Sequence, residues 1–552
     1  MARPACCWFL LGLAAWLTIA GREVLAQAAT EEGSLVVQSA TAKVVSGDTV
    51  VAEVRSGQRL AYTKRNGDWY FVEVDQNGVK RQGWINREQV RIEPDPAQVI
   101  RPRSEGEAAW LKKQVMMTHR RPKLLKLNET TGQTEVIGEV REVNARVDKI
   151  QGDWLWVRTP DQEGWITRND AVPMEEAIEY FTRRIEYNAN DAFAYNARGV
   201  AWHHHKEFDK ALADLNEAIR LSPSSAHFYD RGVVWQAKKE FAKALADYDE
   251  ALRLDPRFYL AYCLRGELYT EQKENDKAIA DYSKAIEILP GYAKAYANRG
   301  WRWLAKKDYD RAFADFSDSI RLDPKLAGPY RGRARVYSFR KQRDKALDDL
   351  SDAIRLDPAF TLAYVDRASA WRANGDFKRS LADANEAVRL DPQSVDAYTQ
   401  RALAHRGLKH YDLAISDWSE AIRLNPHNAG LFASRGYAQF LNKDYDKAIA
   451  DLDACEKLDP QNGWAHRHRA LLLAACPDEK YRDVARAAAE LKKAQALLPP
   501  SAELYEVQAV VAAAAGNLDQ AVHWQEEVLK DPAYHDNPEM QQRLENYRRR
   551  QQ

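Results

Sequence analysis

The chain has 552 residues, too many for one hydrophobic core, so several domains or an extended array are expected. Hydrophobic residues make up 45% and charged residues 29%, the balance of a folded soluble chain and not of a disordered one. Lys+Arg and Asp+Glu both number 81, so bulk charge makes no case for nucleic acid or an anionic membrane surface as partner.

At the N-terminus Arg3 precedes an apolar run from Ala5 to Ala20, and small residues follow at Ala26 and Ala28. This is the layout of a secretory signal peptide, taken as residues 1–26, and it implies export to the periplasm or beyond the cell. The run is short for a membrane span, so no membrane contact is expected after cleavage; an uncleaved anchor is the alternative. Cleavage would leave Cys263, Cys455 and Cys476, too few and too far apart for a disulfide framework, and they read as small buried apolar residues.

Residues 34–95 alternate β-branched and aromatic residues with polar ones, broken at Gly, Asp and Asn, which predicts short antiparallel strands. After a linker at 96–112 the pattern returns over 113–172. "NGDWYFVEV" at 66–74 answers to "QGDWLWVRT" at 151–159, and "QGWINREQV" at 82–90 to "EGWITRNDA" at 163–171. These segments resemble bacterial SH3-like (SH3b) domains. The resemblance implies two small five-stranded barrels without catalytic residues, of a kind that binds cell-wall peptides or other proteins. Trp69, Trp84, Trp154 and Trp165 are then either barrel core or a ligand-facing aromatic patch.

"MEEAIEYFTRRIEYNAN" (174–190) reads as a lone amphipathic helix. From residue 192 prolines fall at 223, 256, 290, 324, 358, 392, 426 and 460, 34 residues apart in all but the first interval. Each interval carries two apolar stripes at helical spacing with a short break between them, so each unit is a helical hairpin. One position of the first helix (helix A) holds Gly199, Gly232, Gly266, Gly300, Ala334, Ala368, Ala402 and Gly436. One position of the second (helix B) holds Ala211, Ala244, Ala278, Ala312, Ala346, Ser380, Ala414 and Ala448. Two helices approach closely only where neither brings a large side chain to the crossing.

This pattern is similar to the tetratricopeptide repeat, with eight copies over 192–460, two divergent ones over 463–532 and a closing helix at 537–552. A hairpin cannot bury its apolar face alone, so the units are expected to stack into an all-α right-handed superhelical solenoid. One departure stands out. Helix A carries Arg where Leu is usual, as at Arg231, Arg265 and Arg299, and helix B carries Asp247, Asp281 and Asp315. One base and one acid per unit point to an Arg–Asp ladder between helices; two solvated charge rows are the alternative.

The resemblance implies a concave groove, lined by helix A, that holds a protein or an extended peptide. Carried over residue by residue, that register names Asn196, His203, Tyr229, Glu267, Trp301, Arg331, Arg335, Arg372, Arg406 and Tyr437. Arg331, Arg335, Arg372 and Arg406 fall together as a basic stretch for an acidic peptide, or as scattered solvated charges. The Lys/Asn set that clamps a C-terminal carboxylate in some relatives is not found. "WHHHK" (202–206) is not a metal site on its spacing, because adjacent helical residues point about 100° apart. With no nucleophile elbow, phosphate loop or dinucleotide fingerprint in the text, no cofactor and no catalysis are expected. Two functions fit: an exported scaffold for protein partners, or an accessory regulator of a cell-envelope enzyme whose SH3-like modules bind peptidoglycan peptides.

Overall fold

The computed structural model describes residues 33–93 and 110–551, apart from residue 533 and short loop segments within the β modules. The signal-peptide reading and most of the linker lie outside the described residues. The chain falls into two compact units, Met1–Ala261 and Tyr262–Gln552.

In the first unit the first β module comprises β1 (Gly33–Val37), β2 (Thr41–Ser46), β3 (Thr49–Arg55), β4 (Arg59–Asn66), β5 (Trp69–Gln76), β6 (Val79–Asn86) and β7 (Val90–Glu93). They form an antiparallel sheet in the order β3-β2-β6-β5-β4-β1-β7. The second module repeats this with β8 (Gln114–Met117), β9 (Lys123–Leu127), β10 (Thr134–Glu139), β11 (Asn144–Gln151), β12 (Trp154–Arg158), β13 (Glu163–Thr167) and β14 (Ala171–Pro173), in the order β10-β9-β13-β12-β11-β8-β14. Period-2 patterning puts one face of each strand inside: Ala42 and Val44 from β2, and Tyr70, Val72 and Val74 from β5, are buried together.

Each sheet has seven strands where the resemblance implies five. The two extra strands are the first and last of each module, which pair with each other, Leu35 opposite Ile92 and Val172 opposite Met116, and lengthen the sheet. The tryptophans divide. Trp165 is buried, Trp84 and Trp154 are half-buried, and Trp69 is 38% exposed. Trp110, which the sequence reading leaves in the linker, is fully buried in the second module's core beneath the Arg168 guanidinium. A lone aromatic with no alternating neighbours carries no strand signal.

Helix Met174–Tyr187 begins directly after Pro173 and packs on the second module. Its Met174, Ala177, Tyr180 and Phe181 share one core with Met116 and Val172 and with Ala194, Ala197 and Ala201 of the next helix. Arg184 pairs with Asp191 at 2.5 Å and donates to the Thr118 carbonyl, tying repeat to β module.

The repeats then alternate a 13-residue helix A with a 14-residue helix B, as in Ser225–Ala237 with Phe241–Leu254 and Ala293–Ala305 with Tyr309–Leu322. Glycine at the crossing is a matter of space: a Cβ on Gly232 would lie 2.6 Å from the Tyr248 ring. The turn between the helices is closed by backbone, with Lys307 N–H on the Leu304 carbonyl and Asp308 N–H on the Trp303 carbonyl. This turn requires a left-handed residue. Lys206, Lys239, Lys273, Lys307, Lys341, Lys409 and Lys443 supply it at φ between 58° and 68°, and glycine does so at Gly375 in the sixth repeat and Gly516 in the tenth.

In each of the first eight repeats one helix-A arginine, from Arg198 to Arg435, grips the aspartate of its own helix B with two hydrogen bonds. Arg231 reaches Asp247 at 2.8 and 2.6 Å, Arg265 reaches Asp281 at 2.8 and 2.7 Å, and Arg299 reaches Asp315 at 2.8 Å twice. The third guanidinium nitrogen turns back to the preceding helix B, where Arg299 donates to Ser283 Oγ and Arg435 to Ser419 Oγ. One side chain thus fastens a hairpin to itself and to its neighbour. In the ninth repeat, Gly463–Ala475 with Val484–Leu497, Arg469 keeps the backward bond to Asp453, and His466 takes the buried carboxylate, Glu490, at 2.6 Å. A tenth pair, Ala502–Ala514 with Leu518–Leu529, and a last helix, Pro538–Gln551, follow.

Candidate functional site: the helix A faces

In the first unit the helix A faces of the first two repeats, the start of the third and the second β module line a cavity of about 250 Å³. Its walls are mostly apolar: Val143, Val200, Tyr229, Val233, Val234 and Phe258, with His203 at one side. Asp230 is its carboxylate, and Asn196 Nδ2 donates to it at 2.8 Å. That bond fixes the amide orientation and leaves Asn196 Oδ1 buried without a partner. Burial pushes the Asp230 carboxyl up to about 7, against the pull of Asn196. Burial also holds the His203 imidazole below its ordinary value, with the neighbouring His204 charge acting in the same direction. His203 and Tyr229 therefore line one concavity, with Asn196 behind it on Asp230, the acid that the sequence register passed over.

In the second unit Glu267 is pushed up by burial and accepts from Asn298 at 3.3 Å. Trp301 lies edge-on to Phe316 and under the Arg331 guanidinium. Arg331 is no free cation: it pairs with Asp366, one repeat on, at 2.7 Å. Arg335 is exposed and its field bears on that same Asp366. The basic quartet thus divides, because an acid from the following helix A neutralises its first half.

Arg372 and Arg406 belong to a different group, whose third member is Arg467 of the ninth repeat. Arg406 lies over the Trp418 and Tyr437 rings and Arg467 over Trp464. Tyr437 and His468 stack at 4.3 Å with planes 6° apart, and Arg467 Nη2 donates to His468 Nε2 at 3.0 Å. Burial, then the positive fields of Arg372 and Arg467, holds the Arg406 guanidinium below its ordinary value. Burial also raises Tyr437 and, with Arg467 and Arg406, drives His468 far below the usual imidazole range. Arg467 stands four residues after the start of its helix A, the place that Arg331 holds in the fifth repeat, and not in the register that Arg372 and Arg406 share, so spacing alone could not join it to them.

Cys263, Cys455 and Cys476 are buried and unbonded, and burial pushes Cys455 up to about 11. Among the described residues no helix is long and apolar enough to cross a membrane.

Residues 192–225, 259–292, 331–395 and 399–463 match family models described as tetratricopeptide repeat. Tetratricopeptide repeat protein 36 of Caenorhabditis elegans is 35% identical over 83 residues, 15% of this chain. The match spans 46% of that relative's own length. Similar solved structures include YrrB, described as a TPR protein with an unusual peptide-binding site, at 22% identity and TM-score 0.29, covering 33% of this chain and 95% of that one. Yeast Tom70 is similar at 17% identity and TM-score 0.32, covering 65% of this chain and 95% of its own. With the 34-residue hairpins and their small-residue crossings, the family-model matches make the helical part of this chain a solenoid of tetratricopeptide repeats, a protein-interaction scaffold.

Proposed function

We propose that this chain is a non-enzymatic, exported scaffold that holds a protein or extended peptide partner along the helix A faces of its repeats. The observation that carries this reading is the cavity on the first repeats. Its apolar walls, with Asp230 as the acceptor, suit a side chain that ends in a donor. The N-terminal apolar segment supports export, and the SH3-like modules serve as a second binding or envelope-tethering unit.

A second reading, an accessory regulator of an envelope enzyme, is favoured by Trp69, an aromatic left 38% exposed on the first β module. There the modules would hold a peptidoglycan peptide. One experiment separates the two. A photo-crosslinking residue is placed at Val233 or at Trp69 in the full chain, expressed in the native envelope. A protein adduct at Val233 is the expected result. Wall glycopeptide captured at Trp69, with nothing at Val233, would replace the first reading by the second.

A further inference from the structure

Arg372, Arg406 and Arg467 set three guanidiniums on the helix A faces of the sixth, seventh and ninth repeats. Among the described residues none of the three has a carboxylate within ion-pair distance, whereas the ladder arginines each hold one. Arg467 is 8% exposed, and its Nε and Nη1 have no acceptor. Arg372 Nε is in the same position. His468 accepts from Arg467 through Nε2, so its proton sits on Nδ1, and that buried nitrogen is unpartnered too. All of these orphan groups are donors. The nearby acids are engaged elsewhere: Glu506 pairs with Arg543 at 2.6 Å and Glu503 accepts from Tyr534 at 3.4 Å.

Glu503 and Glu506 reach Arg467 only through their fields, and like charges gathered without a carboxylate in contact weaken a fold. Planar guanidiniums held on ring faces are a ready fork for an oxyanion. We propose that Arg372, Arg406 and Arg467 form a subsite for a carboxylate of the bound polypeptide, an acidic side chain or a chain's C-terminus, with Tyr437 and His468 as its stacked wall. The inference rests on the reading that the helix A faces hold a polypeptide.

The test is calorimetric titration of the full chain with a capped tetraglutamate peptide, its tetraglutamine analogue and inorganic phosphate. Tetraglutamate should bind about tenfold or more tighter than tetraglutamine, and Arg467→Gln or Arg372→Gln should abolish that preference. Both variants should melt no lower than the unsubstituted chain, because each removes an unpaired charge. Equal binding of the two peptides would overturn the subsite and leave the polypeptide reading standing. Phosphate bound with no peptide bound would overturn the polypeptide reading and keep an anion site. Phosphate bound more tightly than tetraglutamate would overturn the carboxylate assignment. Variants that melt several degrees lower with the preference intact would show the arginines to be structural.

Discussion

Arg299→Ala tests how the solenoid is held together. The substitution removes two hydrogen bonds to Asp315, at 2.8 Å each, and one to Ser283 at 2.9 Å. What remains is an aspartate side chain only 7% exposed; the arginine had been 21% exposed. An exposed pair is worth about 0–1 kcal/mol, and breaking a fully buried pair costs about 3–5 kcal/mol. The carboxylate lies near the buried limit and the guanidinium between the two, so the expected loss is about 2–3 kcal/mol in urea unfolding. Asp315→Ala should cost a similar amount, and the two together less than the sum, with a coupling of about 1–2 kcal/mol. Replacing both by apolar residues, Arg299→Met with Asp315→Leu, should recover most of the loss. Because the arginine also reaches the preceding helix B, hydrogen exchange should quicken in the third and fourth repeats and not only in the fourth. If Arg299→Ala unfolds with the unsubstituted chain, the ladder is two rows of solvated charge.

Three further perturbations follow from the same geometry. Lys307→Gly relieves a left-handed residue at φ 62° and should raise stability by about 0.5–1 kcal/mol, while Gly375→Lys at the matching turn should lower it by as much; equal melting of both variants would refute a strained turn. Gly232→Ala drives a Cβ to 2.6 Å from Tyr248 and should cost about 1–2 kcal/mol by thermal unfolding, relieved by Tyr248→Leu, since Ala334 already stands in the matching place where Leu350 fills the fifth repeat. Asp230, raised to about 7, binds its proton more tightly folded than unfolded, so it subtracts stability as pH rises from about 4 to 7 and no further above that. Asp230→Asn should flatten the melting temperature across that window and raise it at neutral pH; an unchanged slope would mean that the carboxyl is solvated.

Periodicity was enough to reveal the repeat, because its causes are local. A helix pair that crosses closely demands a small residue on each partner, so Gly232 and Ala244 mark the crossing in the text as they do in the fold. The β modules were visible as alternation for the same reason, yet Trp110 was not, since one aromatic filling a core from outside the strands has no period. The lysine turns were also silent. Left-handed backbone usually announces itself with glycine, and here the hairpin's own hydrogen bonds impose it on Lys307 and its counterparts.

Composition and spacing therefore determined which elements form and how each hairpin closes, because those depend on residues within one turn or one unit of each other. Which charges stay free was decided only when the hairpins stacked. Arg331 and Arg372 look alike in the text, but the next helix A brings Asp366 to the first and no acid to the second, and it takes a repeat further along to deliver Arg467 beside Arg406. Charge pairing acts across the gap between units, and the distance across that gap is set by how one hairpin seats on another, which no single stretch of sequence encodes.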